Sequence, residues 1–308
     1  MIDFTTLQGL TIPEGVVTQI TDESGRVIWA LQSGDKVILE VAKATSGTAT
    51  SGVLLDIYPK TNGTVKVTYG GITKTVTDTS GYENPNAIQV AFNETAAPSS
   101  GELTIEGKFL GFGCGTYIDS KSNTEYCACI TSVKDFGGVA LIPNYAFRKC
   151  SSVTNFTIPK SVKEIESNPF ADRGIYACDI SVEPNNENYA IVNNCLIETK
   201  TKRLITGFVN STIDGVTSIG DCAFLNMSEK VGITFTGNYT VPASVTIIGH
   251  KAFYSSNTIT LTFLSATPAT LGTDAFRNGG IAIIVPKGSG DTYKTAWSTY
   301  ANSITEAS

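Results

Sequence analysis

Short alternations of apolar and polar residues recur along the second half of the chain, at residues 156–158, 233–235, 259–263 and 281–285. Apolar side chains occupy every second position in these segments, as in a β-strand with one buried face. Between them a second pattern recurs, V-x-x-I-[GP]-x-x-A-F. It fits residues 216–224 and 245–253 well, and residues 139–147, 162–170 and 271–276 loosely. Each unit of the repeat is therefore predicted to supply one short strand and one turn that ends in Ala-Phe.

The spacing of this repeat predicts a solenoid. The phenylalanines that end the five copies are separated by 23, 54, 29 and 23 residues; they are Phe147, Phe170, Phe224, Phe253 and Phe276. Neither the strand nor the turn of one unit buries its apolar side alone, so the units must stack and share a continuous core. The 54-residue interval predicts one larger, irregular unit within the array.

Several residues in this half resemble BspA-type leucine-rich repeats. The run Ile-Pro-Lys-Ser-Val at 158–162, the repeated Ile-Gly-x-x-Ala-Phe, and Cys150 three residues after Phe147 follow that family's pattern. The resemblance covers residues from about 135 to 305. It departs from the family at Glu166 and Pro169, where Gly and Ala are usual. It implies a leucine-rich repeat array over residues 135–287.

Residues 288–308 are predicted to form a capping helix and tail. One face of a single amphipathic helix would carry Tyr293, Ala296, Trp297, Tyr300, Ala301 and Ile304, with Asp291 as a charge or cap near its start. Because the open end of a solenoid needs a cover, capping is the favoured role. The alternative is an aromatic stripe that binds a ligand.

Residues 33–113 carry a different pattern of short alternating segments separated by turn signals. The segments are 37–41, 53–57, 65–69, 72–76, 88–92 and 103–107, and Gly70-Gly71 is a signal for a two-residue hairpin. This spacing predicts a small immunoglobulin-like β-sandwich. Residues 114–134 are predicted to connect the sandwich to the array. The run Gly-Phe-Gly-Cys-Gly at 111–115 is interpreted as a bend between them, because no Lys followed by Ser or Thr makes it a phosphate loop.

Residues 1–32 are predicted to form an isolated hairpin. A lone hairpin is marginally stable in water, so it must pack on the sandwich or on another subunit. The segment resembles short N-terminal modules of bacteriophage and prophage structural proteins, which implies attachment to a virion. The apolar residues expected to make this attachment are Ile12, Val17, Ile20, Val27 and Trp29.

The composition of the chain excludes several classes of binding site and active site. The chain of 308 residues has a formal net charge of −6, which excludes the electrostatic footprint of nucleic-acid binding. Its one histidine, His250, excludes most zinc sites and catalytic triads, and the other copies of the repeat also have polar residues at that turn position. No carboxylate pair shows the cleft arrangement of a glycosidase. We therefore expect no catalytic residue, no metal and no cofactor, and predict that the protein is not an enzyme.

The cysteines and the apolar runs indicate whether the chain has disulfides, a membrane span or a secretory signal. Seven cysteines, with none in the first 113 residues, argue against a disulfide framework and are interpreted as small buried residues that stay reduced. No apolar run has the length of a membrane span, and no secretory signal is recognisable at the start of the sequence. We expect either export without a signal or removal of the signal from the chain.

Binding surfaces are the better candidates for function. If the apolar residues of the array strands face the core, the alternate residues face outward. The outward residues are Asn155, Thr157, Thr234, Thr236, Thr258, Thr260 and Thr262. This uncharged, hydroxyl-rich face suits hydrogen bonding to glycans or proteins, since no charge must be desolvated; the alternative is that the threonines only keep the strands soluble. Tyr145 and Tyr254 in the turns either stack on sugar rings or lie flat over neighbouring repeats.

Together these features predict a non-enzymatic surface protein of a phage virion, of the head or tail fibre or decoration type. Its N-terminal region is expected to bind the virion or another structural protein. Its array is expected to adhere to glycans or proteins on a bacterial or mucosal surface. A homo-oligomer in the assembled particle is expected, with no nucleic-acid partner and no membrane insertion. The alternative is a BspA-like adhesin of the bacterial cell surface that was expressed without its signal peptide.

Overall fold

The structure is a computed structural model with a mainly β fold. It describes residues 19–21, 27–30, 36–43, 52–78, 87–93, 95–118, 124–126, 129–150, 152–153, 155–171, 179–208, 211–225, 237–254, 259–276 and 280–308.

The strands before the array include all six segments predicted between residues 33 and 113. In chain order the strands are β1 (Gln19–Thr21), β2 (Val27–Ala30), β3 (Lys36–Ala42), β4 (Val53–Pro59), β5 (Thr64–Tyr69), β6 (Ile72–Thr77), β7 (Ile88–Phe92), β8 (Ser100–Gly107), β9 (Phe109–Cys114), β10 (Thr116–Ile118), β11 (Thr124–Tyr126) and β12 (Ile130–Asp135). The predicted segments are β3 to β8. Gly70 and Gly71 join β5 to β6 with φ angles of 57° and 78°, which explains the need for glycine at both positions.

The array and the C-terminal segment supply the remaining elements. These are β13 (Leu141–Ile142), β14 (Asn155–Ile158), β15 (Glu164–Ile165), β16 (Asp179–Val182), β17 (Tyr189–Val192), β18 (Cys195–Glu198), β19 (Arg203–Gly207), β20 (Ser218–Ile219), β21 (Gly237–Val241), β22 (Ile247–Ile248), β23 (Ile259–Phe263), β24 (Thr270–Leu271), β25 (Ile281–Val285), α1 (Gly290–Ala296), a 3-10 helix (Ser298–Ser303) and β26 (Ile304–Glu306).

Two five-stranded sheets contain the strands predicted for a sandwich. The first has the order β12-β3-β8-β5-β6 and is antiparallel, so part of the predicted connector pairs with β3. The second has the order β15-β13-β9-β4-β7, in which β13 of the array runs parallel to both β9 and β15. Hydrogen bonding therefore continues from the N-terminal region into the array. The immunoglobulin-like topology stays a prediction.

The glycine-rich run at 111–115 is a central strand for most of its length. Residues up to Cys114 form β9, so the interpretation of this run as a bend is wrong. The glycines serve a close approach between strands, because a Cβ on Gly111 would lie 2.2 Å from the carbonyl oxygen of Leu141 in β13. Glycine in a turn-like run therefore serves here to let the backbones of β9 and β13 approach each other closely.

A single hydrophobic core joins the N-terminal sheets to the first turns of the array. It contains Val37 and Leu55 of the two sheets together with Phe147 and Phe156 of the array. The ring of Phe112 in β9 packs edge-on against Phe147 with the centroids 6.1 Å apart. The N-terminal sheets therefore cover one open end of the solenoid, as a terminal cap must.

The second half of the array confirms the predicted solenoid. The longer strands β21, β23 and β25 pair in parallel and in register, and the short strands β20, β22 and β24 form a separate parallel ladder. Successive turns also bond to each other, since the N–H of Phe224 donates to Ala252 O and the N–H of Phe253 donates to Ala275 O, at 2.7 and 2.8 Å. The Ala-Phe pair recurs because each turn meets the next at the same two positions.

The predicted irregular unit separates two cores. Its strands β17, β18 and β19 pair antiparallel, and both faces of β18 and β19 are buried. Leu196 and Ile205 belong to the core shared with the N-terminal sheets, whereas Ile197 and Leu204 belong to the core of the second half. Strands β18 and β19 of this unit thus pack against a hydrophobic core on each face.

The C-terminal segment caps the array, but not as one helix. The α-helix ends at Ala296, the 3-10 helix follows, and β26 pairs in parallel with β25. Tyr293, Trp297 and Tyr300 are nevertheless buried in the second core, where the Trp297 ring lies 5.1 Å from that of Phe263. Asp291 lies in the first turn of the helix as the predicted charge, while the N-cap residue is Ser289, which makes no side-chain capping bond. The described part of the chain has no helix with the length and apolar character to cross a membrane.

Candidate functional site

The outward positions of the array strands β14, β21 and β23 are polar and uncharged. In β14, Asn155 and Thr157 are exposed while Phe156 and Ile158 are buried, which follows the predicted alternation. The Thr157 hydroxyl lies 2.8 Å from the Ser181 hydroxyl of the neighbouring strand β16. One pair of hydroxyls therefore meets across these two adjacent strands.

A row of polar side chains lies on β21 and β23, and we call it the polar strip. It consists of Asn238 and Thr240 in β21, both exposed, and Thr260 and Thr262 in β23, both half-buried. Parallel register sets Asn238 beside Thr260 and Thr240 beside Thr262. The next strand continues the rows with Ala282 and the half-buried Ile284.

Sequence reasoning missed half of the polar strip. The predicted strand at 233–235 lies outside the described residues, and β21, in which Tyr239 and Val241 are buried, is not among the strands predicted from the sequence. The alternation in Gly-Asn-Tyr-Thr-Val at 237–241 was the signal that identifies Asn238 and Thr240. The predicted residues Thr234, Thr236 and Thr258 lie outside the described residues.

The two turn tyrosines are half-buried on a separate edge of the array. The Tyr145 hydroxyl lies 2.8 Å from the Cys222 sulfur, so this side chain spans the irregular unit. Arg148 lies over the Tyr145 ring at 5.0 Å, and Lys251 lies over the Tyr254 ring at 5.6 Å. Both rings pack against the small cluster of Ala171, Cys222 and Leu225. Stacking of these rings on a sugar stays a prediction.

The N-terminal attachment residues are described in part. The backbones of β1 and β2 pair antiparallel, with Ile20 opposite Trp29 and Thr21 opposite Val27. Ile12 and Val17 lie outside the described residues. The attachment role of all five residues stays a prediction.

A polar cleft of about 600 Å³ lies where the ladder of short strands is interrupted, between β15 and β19. Its side chains replace the missing strand contacts. The N–H of Ile165 donates to the Tyr189 hydroxyl at 2.7 Å, and the Arg203 guanidinium donates to Ile165 O and Glu166 O at 3.4 and 3.3 Å. Burial raises the pKa of Tyr189 to about 12, so this hydroxyl stays protonated. The cleft is a structural junction between the two halves of the array.

The described residues contain no cluster of metal-binding side chains. No group of three or more His, Cys, Asp or Glu side chains among these residues could hold a metal ion. Two contacts hold His250 in its turn. Its ring Nδ1 lies 2.7 Å from Thr273 O, and its backbone N–H donates to Asp221 Oδ1 at 2.7 Å.

Comparison with known proteins bears on the array. The sequence profile described as BspA type leucine rich repeat region matches residues 116–227 and 204–287, with six copies of the repeat. The chain is also similar to a solved structure titled as the crystal structure of the pneumococcal vaccine antigen PcpA, at 17% sequence identity and a TM-score of 0.30. That alignment covers 56% of this chain and 60% of the antigen's chain, and a likeness at this level says nothing about function. No match was found among curated proteins.

Proposed function

Because the chain belongs to the family of BspA-type leucine-rich repeats, we propose that it is a non-enzymatic adhesion protein whose array contacts its partner through the polar strip. The partner is a glycan or a glycosylated protein on a bacterial or mucosal surface. The observation that carries this proposal is the uncharged polar row formed by Asn238, Thr240, Thr260 and Thr262 on parallel strands in register.

The chemistry of the polar strip favours a neutral, hydroxyl-rich ligand. Hydroxyl and amide groups both donate and accept hydrogen bonds, as sugar hydroxyls do. Adjacent strands lie about 4.8 Å apart, so the row presents these groups at a regular spacing. An uncharged surface gives up its water at a lower cost than a charged one. Ile284, beside Thr262, adds an apolar contact for the less polar face of a sugar ring.

The scaffold beneath the polar strip supports the same proposal. Leu261 and Ile283, the inward neighbours on β23 and β25, are fully buried in the second core. The C-terminal segment closes the end of this core. Because the strip stands on packed strands, its side chains are positioned before the ligand arrives, which lowers the entropic cost of binding.

A charge placed on the polar strip is expected to weaken binding about tenfold or more, because its water must be removed. The substitution is Thr240→Lys, and its matched control is Thr270→Lys, an exposed threonine on the short strand β24. Full-length variants are titrated onto immobilised mucin and onto bacterial surface polysaccharide. Equal affinities for the two variants, or no binding of either probe by the unsubstituted protein, would contradict the proposal.

We further propose that the protein is displayed on a phage virion and attached through residues 1–32. The resemblance of this segment to phage structural modules supports the proposal, and within it β1 pairs antiparallel with β2. Purified virions analysed by mass spectrometry are expected to contain this polypeptide. Its absence from virions and its presence on intact bacterial cells would instead favour a cell-surface adhesin.

A further inference from the structure

Three cysteines meet where the N-terminal sheets join the array. Cys114 ends β9, Cys129 precedes β12, and Cys150 follows the first Ala-Phe turn. All three side chains are buried, and the sulfurs of Cys114 and Cys150 lie 3.0 Å apart. Cys129 donates its S–H to Leu54 O at 3.2 Å. None of the five described cysteines is in a disulfide.

Backbone hydrogen bonds anchor Cys114 and Cys150 to the same Ala-Phe turn. The N–H of Cys114 donates to Ala146 O at 2.8 Å, and the N–H of Cys150 donates to Phe147 O at 3.1 Å. A disulfide requires the two sulfurs to be about 2.05 Å apart, so closing the bond needs a movement of about 1 Å. Cys195 and Cys222 have other neighbours, since their sulfurs contact Thr212 O and the Tyr145 hydroxyl.

The surroundings also favour the reactive form of one thiol. Burial raises the pKa of Cys114, but hydrogen bonds from the Cys150 thiol and from the N–H groups of Ile130 and Cys129 outweigh it, so that the pKa lies well below its usual value. A thiolate is the species that attacks a disulfide. Cys195 differs, because burial raises its pKa to about 11.

We propose that Cys114 and Cys150 form a disulfide that fastens the N-terminal sheets to the first turn of the array. Two S–H bonds break and one S–S bond forms. The two electrons and the two protons pass to a small-molecule disulfide of the glutathione type, which becomes two thiols. The first thiol leaves when a mixed disulfide forms on Cys150, and the second leaves when the Cys114 thiolate attacks that mixed disulfide. Because both sulfurs are buried in the closed junction, the oxidant reaches Cys150 before the junction closes, and Cys114 attacks the mixed disulfide as the surroundings that lower its pKa form.

This bond would lock a junction that otherwise depends on packing and hydrogen bonds alone. It connects β9, in the middle of the second sheet, to the turn that follows β13, and closes the loop that includes β12. Restricting this loop in the unfolded chain is expected to raise the thermal midpoint by about 5 °C.

The test is to refold the full-length protein with oxidised glutathione or with a reducing agent, and then to compare non-reduced peptide maps and thermal midpoints. The oxidised protein is expected to yield one cross-linked peptide pair that contains Cys114 and Cys150, two hydrogen masses lighter than the reduced pair. Cys129→Ser is expected to retain the cross-link and the higher midpoint, and Cys150→Ser to lose both. A cross-link that uses Cys127 or Cys129 instead, no cross-link, or equal midpoints for the oxidised and reduced wild-type protein would overturn the proposal. The wild-type comparison decides the matter even where a variant fails to fold.

Discussion

Phe224→Ala is expected to lower the free energy of unfolding by about 3–5 kcal/mol, because it removes a large ring from a site that has little room to collapse. The Phe224 ring is buried and stacks on Phe253 with centroids 4.8 Å apart and planes 7° from parallel. Tyr239 packs against it at 4.9 Å. The chain also has glycine at 207 to make space for the ring, since a Cβ there would lie 2.0 Å from the Phe224 ring.

Urea unfolding followed by tryptophan fluorescence measures this loss, because Trp297 is buried in the same core as Phe224. His250→Ala is the control within the same repeats. Its ring contacts Thr273 O at an exposed turn, so its loss is expected to cost within about 0.5 kcal/mol. Similar unfolding midpoints for the two variants would show that the stacked rings of Phe224 and Phe253 do not stabilise the array.

Asn168→Ala is expected to cost about 2–4 kcal/mol through hydrogen bonds rather than packing. The Asn168 side chain is buried and fully bonded. Its amide nitrogen donates to Cys222 O at 2.9 Å and to Ala223 O at 3.4 Å. Its amide oxygen accepts from the Thr206 hydroxyl and from the N–H of Phe170, both at 2.9 Å. One side chain thus ties the turn before the irregular unit to β19 and to the turn after it.

The alanine variant leaves the buried Thr206 hydroxyl and the backbone groups without these partners, and that is the source of the cost. Asn238→Ala is the matched control, since Asn238 is an exposed residue of β21 and its truncation is expected to change stability by less than about 0.5 kcal/mol. The measurement is again urea unfolding of the full-length variants. If Asn168→Ala were as stable as Asn238→Ala, the two halves of the array would not depend on this side chain.

The array was predictable because the repeated V-x-x-I-[GP]-x-x-A-F pattern marks buried positions in every turn. Val, Ile and Ala-Phe at fixed intervals mark the residues that each turn buries against the next, and the structure buries them there. Asn168 was not predictable in the same way. It lies beside Pro169, where the sequence departs from the repeat, and a single polar residue gives no sign of being buried until its partners in β19 and the later turn are known.

Two other features depended on contacts that sequence patterns do not show. The aromatic residues from Tyr293 to Tyr300 fit helical spacing, yet the chain changes to a 3-10 helix and then a strand, because each ring must reach the end of the core and β25 offers an open edge. The glycines of β9 look like a turn until β13 is seen lying against them. In the polar strip, the alternation at 259–263 predicts that Thr260 and Thr262 face outward, and the alternation at 237–241, which was not among the predicted strands, indicates the same for Asn238 and Thr240.

The most direct test of adhesion through the polar strip is hydroxyl-radical footprinting of the full-length protein, with and without saturating mucin. Two isoleucines serve as reporters: Ile284 beside the strip, and Ile247, which is 52% exposed on the short strand β22. If the polar strip binds the ligand, oxidation of Ile284 falls several-fold while oxidation of Ile247 is unchanged. Protection of Ile247 without protection of Ile284 would place the ligand elsewhere and contradict the proposed function.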